Sequence, residues 1–585
     1  MKNKLLFCSF LALVLFSCNP SDDNGSSITD EQFAENFGPS VSRDFIGQIV
    51  DNDNHAISGA TVSIGSQSVQ TDANGIFILN DASVHEKFAF VKVTKTGFID
   101  GSRAMVPTSG KNNVKIMLIP ITPVATVSSG ETTDVDLPNG TKVTFDGAFQ
   151  TEDGASYTGD VNVSMYHLET SNENLQYLMP GMLYAKGEDN QPKVLETFGM
   201  LNVELRGSAG QKLQIKSGHN AGISMKIDDS QMATAPQSIP IWHFDETVGY
   251  WKQEGTATKQ GNAYVGEVSH FSWWNCDQFD TPAFVNITLT NSDGVALANV
   301  GVGLDATGLQ SAMQITDQNG QVNGAVPAGQ TLMMKIYDTC GNITFSQQIG
   351  PFSGNASQNV VIDSSEALST VVSGKLVTCD GGVVENGYVC MENGMRTSFA
   401  ILSEGNFTFT TLVCGPDENF DLIGYDADNV QTTGRLSYAF NEGNTNVGSL
   451  PVCSAIDEFL VYTVDNMPAN FIYGNIQTQF DNSFALSIFG DVGEGKRLII
   501  DGYTTQPGVY TGSEFRFNCD QYYPALDYVH TRSFWNENNL PGVATVHLNK
   551  FGAVGDYIDV TFSITANSSS GPITLEGYAH VKRDN

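Results

Sequence analysis

The motif Thr-Asp-x-Asn-Gly occurs at Thr71-Asp72-Ala73-Asn74-Gly75 and again at Thr316-Asp317-Gln318-Asn319-Gly320, each time after two stretches in which apolar and polar residues alternate. Alternation with a period of two marks a half-buried strand. Asn-Gly between such runs marks a turn, because both residues tolerate a positive φ. Phe45-Ile46-Gly47-Gln48-Ile49-Val50 and Ile57-Ser58-Gly59-Ala60-Thr61-Val62-Ser63-Ile64 precede the first motif, and runs 284–289 and 297–304 precede the second. Runs 88–94 and 114–119 follow in the first unit. A looser copy extends from Val372-Ser373-Gly374-Lys375-Leu376-Val377 through Gly387-Tyr388-Val389 to Gly405-Asn406-Phe407-Thr408-Phe409, without the turn aspartate. Strand, strand and turn in this repeated order predict an all-β chain of tandem β-sandwich domains.

A chain of 585 residues is too long for one hydrophobic core. The patterns divide it into 1–17, a signal peptide; 18–43, a flexible tether; sandwiches at 44–120, 277–366 and 367–450; a middle β domain at 121–276; and a C-terminal β domain at 451–585. The pattern over 44–120, and its return after 277, resembles the carboxypeptidase regulatory-like domain, a transthyretin-like sandwich of immunoglobulin-like architecture. That resemblance implies a structural or binding module without catalytic residues of its own. Tandem copies, each with its own core, are expected to form a stalk or an array.

The N-terminus carries Lys2 and Lys4, an apolar run from Leu5 to Phe16, then Ser17 and Cys18. So short an apolar run falls below the roughly 20 residues needed to span a bilayer, and it reads as an export signal cleaved before Cys18. The Leu15-Phe16-Ser17-Cys18 sequence resembles the relaxed lipobox of Bacteroidetes lipoproteins, which implies lipidation of Cys18 and a lipid anchor in the outer membrane. Residues 19–27 are polar, as a leash would be, and Asp22-Asp23 resembles the acidic signal that sends such lipoproteins to the cell surface.

Composition narrows the partners. With 29 basic against 64 acidic residues the formal charge is -35, which argues against nucleic acid and anionic lipid as ligands. Charged residues make up only 16% and hydrophobic residues 41%, so the acidity belongs to a globular chain and not a disordered one. Beyond Cys8 and Cys18, seven cysteines lie at position 276 or later, and an exported chain meets an oxidising compartment. Cys276 with Cys340 would close one domain, and Cys379, Cys390, Cys414 and Cys453 would supply two bridges in the next; the odd count leaves a thiol over, and sequence alone leaves the pairing open.

Chemistry is sparse. No GxSxG elbow, HExxH, P-loop or glycine fingerprint is present. Ser269-His270-Phe271-Ser272-Trp273-Trp274 resembles the close of ZU5-like domains, some of which cleave themselves between Phe and Ser. His270 beside Ser272 is the minimum pairing of base and nucleophile for attack on the Phe271 carbonyl, provided the fold strains that peptide. The alternative is that Phe271, Trp273 and Trp274 are core residues. Asp51-Asn52-Asp53-Asn54 offers oxygen ligands for calcium at Asp51 and Asp53, without the glycine and distal glutamate of an EF-hand, so a metal-free turn competes. Tyr522 and Tyr523, with Phe515, Phe517 and Trp535, form either an aromatic platform for a sugar or core packing. Asp245-Glu246 reads as a solvated pair, since strand neighbours face opposite ways.

These features point to a non-enzymatic cell-envelope lipoprotein that acts in adhesion or in carbohydrate or matrix binding. The alternatives are a scaffold of an envelope complex and a receptor cleaved at Phe271–Ser272. Cys18→Ser is expected to abolish metabolic labelling with palmitate and to move the protein out of the membrane fraction; labelling that persists would rule out this anchor.

Overall fold

The computed structural model describes residues 28–584 apart from 73, 307–311, 364–367, 394–395, 416–417, 430, 442, 456–458, 465–469, 474–475, 480–485, 492–496, 511–514, 524–527, 535–542, 555–556 and 569–570. The signal peptide, Cys18 and the Asp22-Asp23 pair lie outside the described residues.

The architecture is all-β, in tandem sandwiches. In the first, Ser40–Asp51 lies between Ile76–His85, antiparallel, and Lys111–Leu118, parallel. The facing sheet runs Gln67–Gln70, Thr61–Ile64, Ala89–Thr94, Gly101–Met105. The second sandwich repeats this plan, with Pro282–Asn291 between Gln321–Pro327, antiparallel, and Ala356–Ile362, parallel. The third does so too, with Leu368–Thr378 between Asn406–Val413 and Asn444–Val452.

The repeated motif explains the repeated plan. Thr71, fully buried, donates its hydroxyl to the Ile57 carbonyl at 2.6 Å and accepts the Ala60 N–H at 2.9 Å. Thr316 does the same with the Leu297 carbonyl (2.6 Å) and the Val300 N–H (2.9 Å). Gly75 (φ 71°) and Gly320 (φ 72°) sit where a Cβ would come within 2.3 Å of the Ile49 and Leu289 carbonyls, so only glycine fits. Their own carbonyls accept the Ile49 and Leu289 N–H groups, both at 2.8 Å. In the third copy Gly405 alone survives, accepting the Leu376 N–H at 2.7 Å.

The sandwiches do not form a linear stalk. The Oδ1 of each turn aspartate closes its own turn: Asp72 accepts the Asn74 and Ile76 N–H groups, and Asp317 those of Asn319 and Gln321. The Oδ2 reaches another sandwich. Asp317 Oδ2 accepts the Gly110 N–H of the first sandwich at 3.0 Å, and Asp72 Oδ2 accepts the Tyr388 hydroxyl of the third. Tyr388 is buried there with Ile46, Ile76, Cys390 and Tyr425. The second and third sandwiches are joined by a Cys340–Cys414 disulfide, by the Thr339 N–H to the Leu412 carbonyl, and by Leu412 entering the second core. Each of the three sandwiches thus touches the other two. An extended array would leave the turn acceptors to water and the apolar faces exposed; docking pairs the former and buries the latter.

The disulfides correct the expected pairing. Cys340 bonds Cys414 between sandwiches, Cys379 bonds Cys453 within the third, and Cys276 and Cys390 are free and buried. The pairing of Cys276 with Cys340 fails because Cys276 belongs to the core of the middle domain. The Cys379–Cys453 bridge and the pairing of Ser454–Ala455 with Gln431–Thr432 also carry the third sandwich past residue 450.

The tether is likewise shorter than expected. Thr29 and Gln32 form a capping box on Asp30–Ala34, and Phe33 and Phe37 are buried between the first sandwich and the middle domain. Phe37 stacks on Phe88 at 4.2 Å, and Asp30 binds Lys252 at 2.8 Å and the Tyr250 hydroxyl at 2.9 Å. Two phenylalanines four residues apart fall on one face of a helical turn and supply an anchor that polar composition hides.

Within the middle domain the 16-residue strand Pro192–Gly207 is the spine of one large curled sheet. One face encloses a core including Phe145, Phe198, Tyr264, Phe271 and Trp274. The other turns Trp242, Phe244, Trp251 and Trp273 onto Val50, Ile99, Met117 and Ile119 of the first sandwich. Asp245 is not a free solvated residue: Lys252 binds it at 2.7 Å. In the C-terminal domain a six-stranded and a five-stranded sheet pack over Phe515, Phe517 and Phe562. Two members of the suggested aromatic platform are therefore core; the side chains of Tyr522, Tyr523 and Trp535 lie outside the described residues.

Burial raises the Asp72 carboxyl from the usual 3.8 to about 6, against the hydrogen bonds it accepts. A raised folded value means that protonation favours the folded chain: the contribution is complete below about pH 4 and is lost as pH rises through 6. Asp72→Asn, which keeps one oxygen for the two turn N–H groups and puts an NH2 that can donate to the Tyr388 oxygen where the protonated acid has its O–H, should match wild type at pH 4 and become relatively more stable by pH 7, by on the order of 3 kcal/mol. Thermal unfolding across pH 4–7 measures this, and parallel profiles would contradict it.

Candidate functional site

The segment 175–184 of the middle domain, which opens with the helical turn Leu175–Leu178, enters the junction of three domains. The guanidinium of Arg103, from the first sandwich, donates to the Gln176 carbonyl at 2.6 Å, and Gly181 N–H donates to the Ser102 hydroxyl at 3.1 Å. Met179, Met182 and Leu183 then line a cavity of about 170 Å³ whose far wall includes Leu304 and Val326 of the second sandwich. Such apolar junctions between domains are common places for ligands.

Glu196 on the long strand borders this cavity and also an outer groove of about 410 Å³ that includes Pro240, Phe279 and Asp280. Burial and the neighbouring Asp280 hold the Glu196 carboxyl up at about 7. Near neutrality it therefore both donates and accepts hydrogen bonds. Phe279 is 43% exposed yet held in place. Trp242 meets it edge-on at 5.7 Å between centroids, and Lys193 Nζ lies 5.0 Å from its ring centre, itself fixed by Asp189 at 2.6 Å. Phe279 is paired with Leu195 in the ladder, and Glu196 with Gln278, so the ring and the two carboxyl groups line the groove from alternate positions; together they suit a polyhydroxylated ligand, which offers C–H faces to a ring and hydroxyls to acids. The sequence signal for Phe279 is slight: a lone aromatic among Asp277, Gln278 and Asp280 at a strand end.

The residues singled out in the sequence are placed as follows. Phe271 is buried, and Gln214 holds both sides of it, accepting its N–H at 2.8 Å and donating to its carbonyl at 2.7 Å. Ser272 Oγ donates to the Trp273 carbonyl at 3.2 Å, while the His270 ring lies 3.5 Å from Glu254. Among the described residues no hydrogen bond joins His270 to Ser272, and neither Phe271 nor Ser272 has a positive φ. Asp51, Asp53 and His55 bring ligand atoms within 4.8 Å of one another. Asp51 already accepts the Asp53 and His55 N–H groups, both at 2.9 Å, and meets the His55 ring at 3.2 Å. Asn291 closes the matching turn of the second sandwich with the same two bonds, at 3.0 and 2.8 Å, so an uncharged amide serves equally.

No family model matches the chain. Human cartilage intermediate layer protein 2 is 28% identical over 142 residues, 24% of this chain, and the chain spans 12% of that protein's length. Among solved structures, the Streptococcal ancillary pilin is similar at 12% identity over 37% of this chain and 92% of that one, with a TM-score of 0.13. The Bacillus anthracis TIE protein is similar at 10% identity over 71% of this chain and 72% of that one, TM-score 0.14. A DUF3823 family protein from Bacteroides ovatus is similar at 10% identity over 36% and 96%, TM-score 0.12. At TM-scores this low nothing about this chain's fold or function is taken from them.

With Ser272 Oγ turned to Trp273 and the His270 ring to Glu254, the Phe271–Ser272 bond is expected to persist. A denaturing gel should show one band of unchanged mobility in wild type and in Ser272→Ala; two wild-type fragments that merge in the variant would overturn this.

Proposed function

We propose that this chain is a non-enzymatic lipoprotein of the cell envelope, anchored through Cys18 in the outer membrane with its sandwiches at the cell surface, where it binds carbohydrate or matrix protein in adhesion. The observation that carries the binding reading is the groove lined by an exposed but fixed Phe279 together with Glu196 and Asp280. The plan shared by the three sandwiches supports kinship with regulatory-like modules, and the charge of -35 supports a ligand other than nucleic acid or anionic lipid. The anchor rests on the N-terminal sequence. The groove is built on paired strands of one sheet, which lowers the entropy lost on binding.

The test is binding of the exported chain to a glycan and matrix-protein array, with and without calcium. Phe279→Ala is expected to weaken any bound ligand about tenfold or more, as loss of a central aromatic contact does. Equal binding by Phe279→Ala and wild type would remove the groove from the reading. A blank array, with an envelope protein co-purifying instead, would favour the scaffold.

A further inference from the structure

His243, Glu254 and His270 come from three separate elements of the middle domain. His243 is on Ser238–Asp245, Glu254 on Tyr250–Gln260, and His270 in the turn before Trp273–Asp280. His243 pairs with Lys252 across the antiparallel ladder, which makes Glu254 its diagonal neighbour on the same face. His243 also pairs with Trp274, whose indole N–H donates to the His270 carbonyl at 3.0 Å and so fixes the turn. The two imidazoles meet edge to face with centroids 4.8 Å apart.

Both rings aim Nε2 at the same oxygen. His243 Nε2 lies 3.6 Å and His270 Nε2 3.5 Å from Glu254 Oε2, and the three ligand atoms all lie within 4.8 Å of one another. These separations are long for hydrogen bonds. They are close to the roughly 3.3 Å edge of a tetrahedron whose centre is about 2.0–2.1 Å from each ligand, as around zinc. The other Glu254 oxygen, Oε1, accepts the Ser269 hydroxyl at 2.8 Å, an outer bond of the kind that orients a ligating carboxylate. The nearest lysine, Lys252, is committed to Asp30 and Asp245 at 2.8 and 2.7 Å and does not compete for Glu254.

We infer that His243, Glu254 and His270 form a binding site for a divalent transition metal of the zinc class, with two imidazoles and one carboxylate as ligands and a fourth position open to solvent. Imidazole and carboxylate donors in this ratio favour zinc over calcium or magnesium, which take oxygen ligands. The side chains of Glu254 and His270 are 41% and 34% exposed, so the fourth position can take water or a donor from another molecule. The metal would tie the turn at 270 to the sheet. It would also give His270 a role unrelated to peptide cleavage.

The test uses the full chain purified in detergent, stripped with chelator and titrated with zinc chloride, and separately with cobalt(II), whose visible absorption reports tetrahedral coordination. One zinc per chain by atomic emission and a tetrahedral cobalt spectrum are expected. His270→Gln and Glu254→Gln, at exposed positions that leave the core alone, should each weaken zinc at least about tenfold with unchanged circular dichroism, and Ser269→Ala should weaken it about tenfold. Asp51→Asn should leave zinc binding unchanged, which separates this site from the Asp51–His55 turn. Absence of bound zinc overturns the proposal, as does zinc retained equally by His270→Gln and Glu254→Gln.

Discussion

Each sandwich is closed by one short backbone contact: a first-strand N–H, of Ile49, Leu289 or Leu376, donates to the carbonyl of a left-handed glycine, Gly75, Gly320 or Gly405. The chain can come this close only where there is no Cβ. In the first two copies the glycine follows an aspartate whose Oδ1 shapes the turn and leaves Oδ2 projecting outward. Closure of one sandwich therefore presents the acceptor that docks it on another, through Tyr388 in one case and Gly110 in the other. An acceptor buried without a donor would cost about 1–3 kcal/mol, so closure and docking support each other.

Apolar burial does the rest. Trp242, Trp251 and Trp273 cover Val50 and Ile119, and Phe33 and Phe37 fill the edge of the same interface. Each large side chain so buried contributes about 1.5–3 kcal/mol relative to exposure. The first sandwich is thereby held by the middle domain on one side and by its two sister sandwiches on others. Between the second and third sandwiches the Cys340–Cys414 bridge, spanning 74 residues, adds a covalent restraint.

The strand Ser238–Asp245 serves both candidate sites because its successive side chains face opposite ways. Trp242 turns into the interface with the first sandwich, where its ring also meets Phe279, while His243 turns to Glu254 and His270 at the rim of the core. The groove at Phe279 and a metal at the histidines would thus be linked through adjacent residues of one strand.

Period-two alternation and the Thr-Asp-x-Asn-Gly turns determined by themselves that the chain is all-β and repeats one sandwich plan, because strand pleat and turn chemistry are local properties. Even the third copy was legible from Gly405 and its flanking strands, although its aspartate is lost. What local pattern does not contain is which surface meets which. The partners of Asp72 and Tyr388 are over 300 residues apart, Cys340 finds Cys414 and not Cys276, and His243, Glu254 and His270 converge from three elements. The signal for Phe33 and Phe37 as an anchor was present but was masked by the polar residues before them. Those pairings were decided by tertiary structure alone, since they depend on how whole faces dock and no spacing along the chain encodes that.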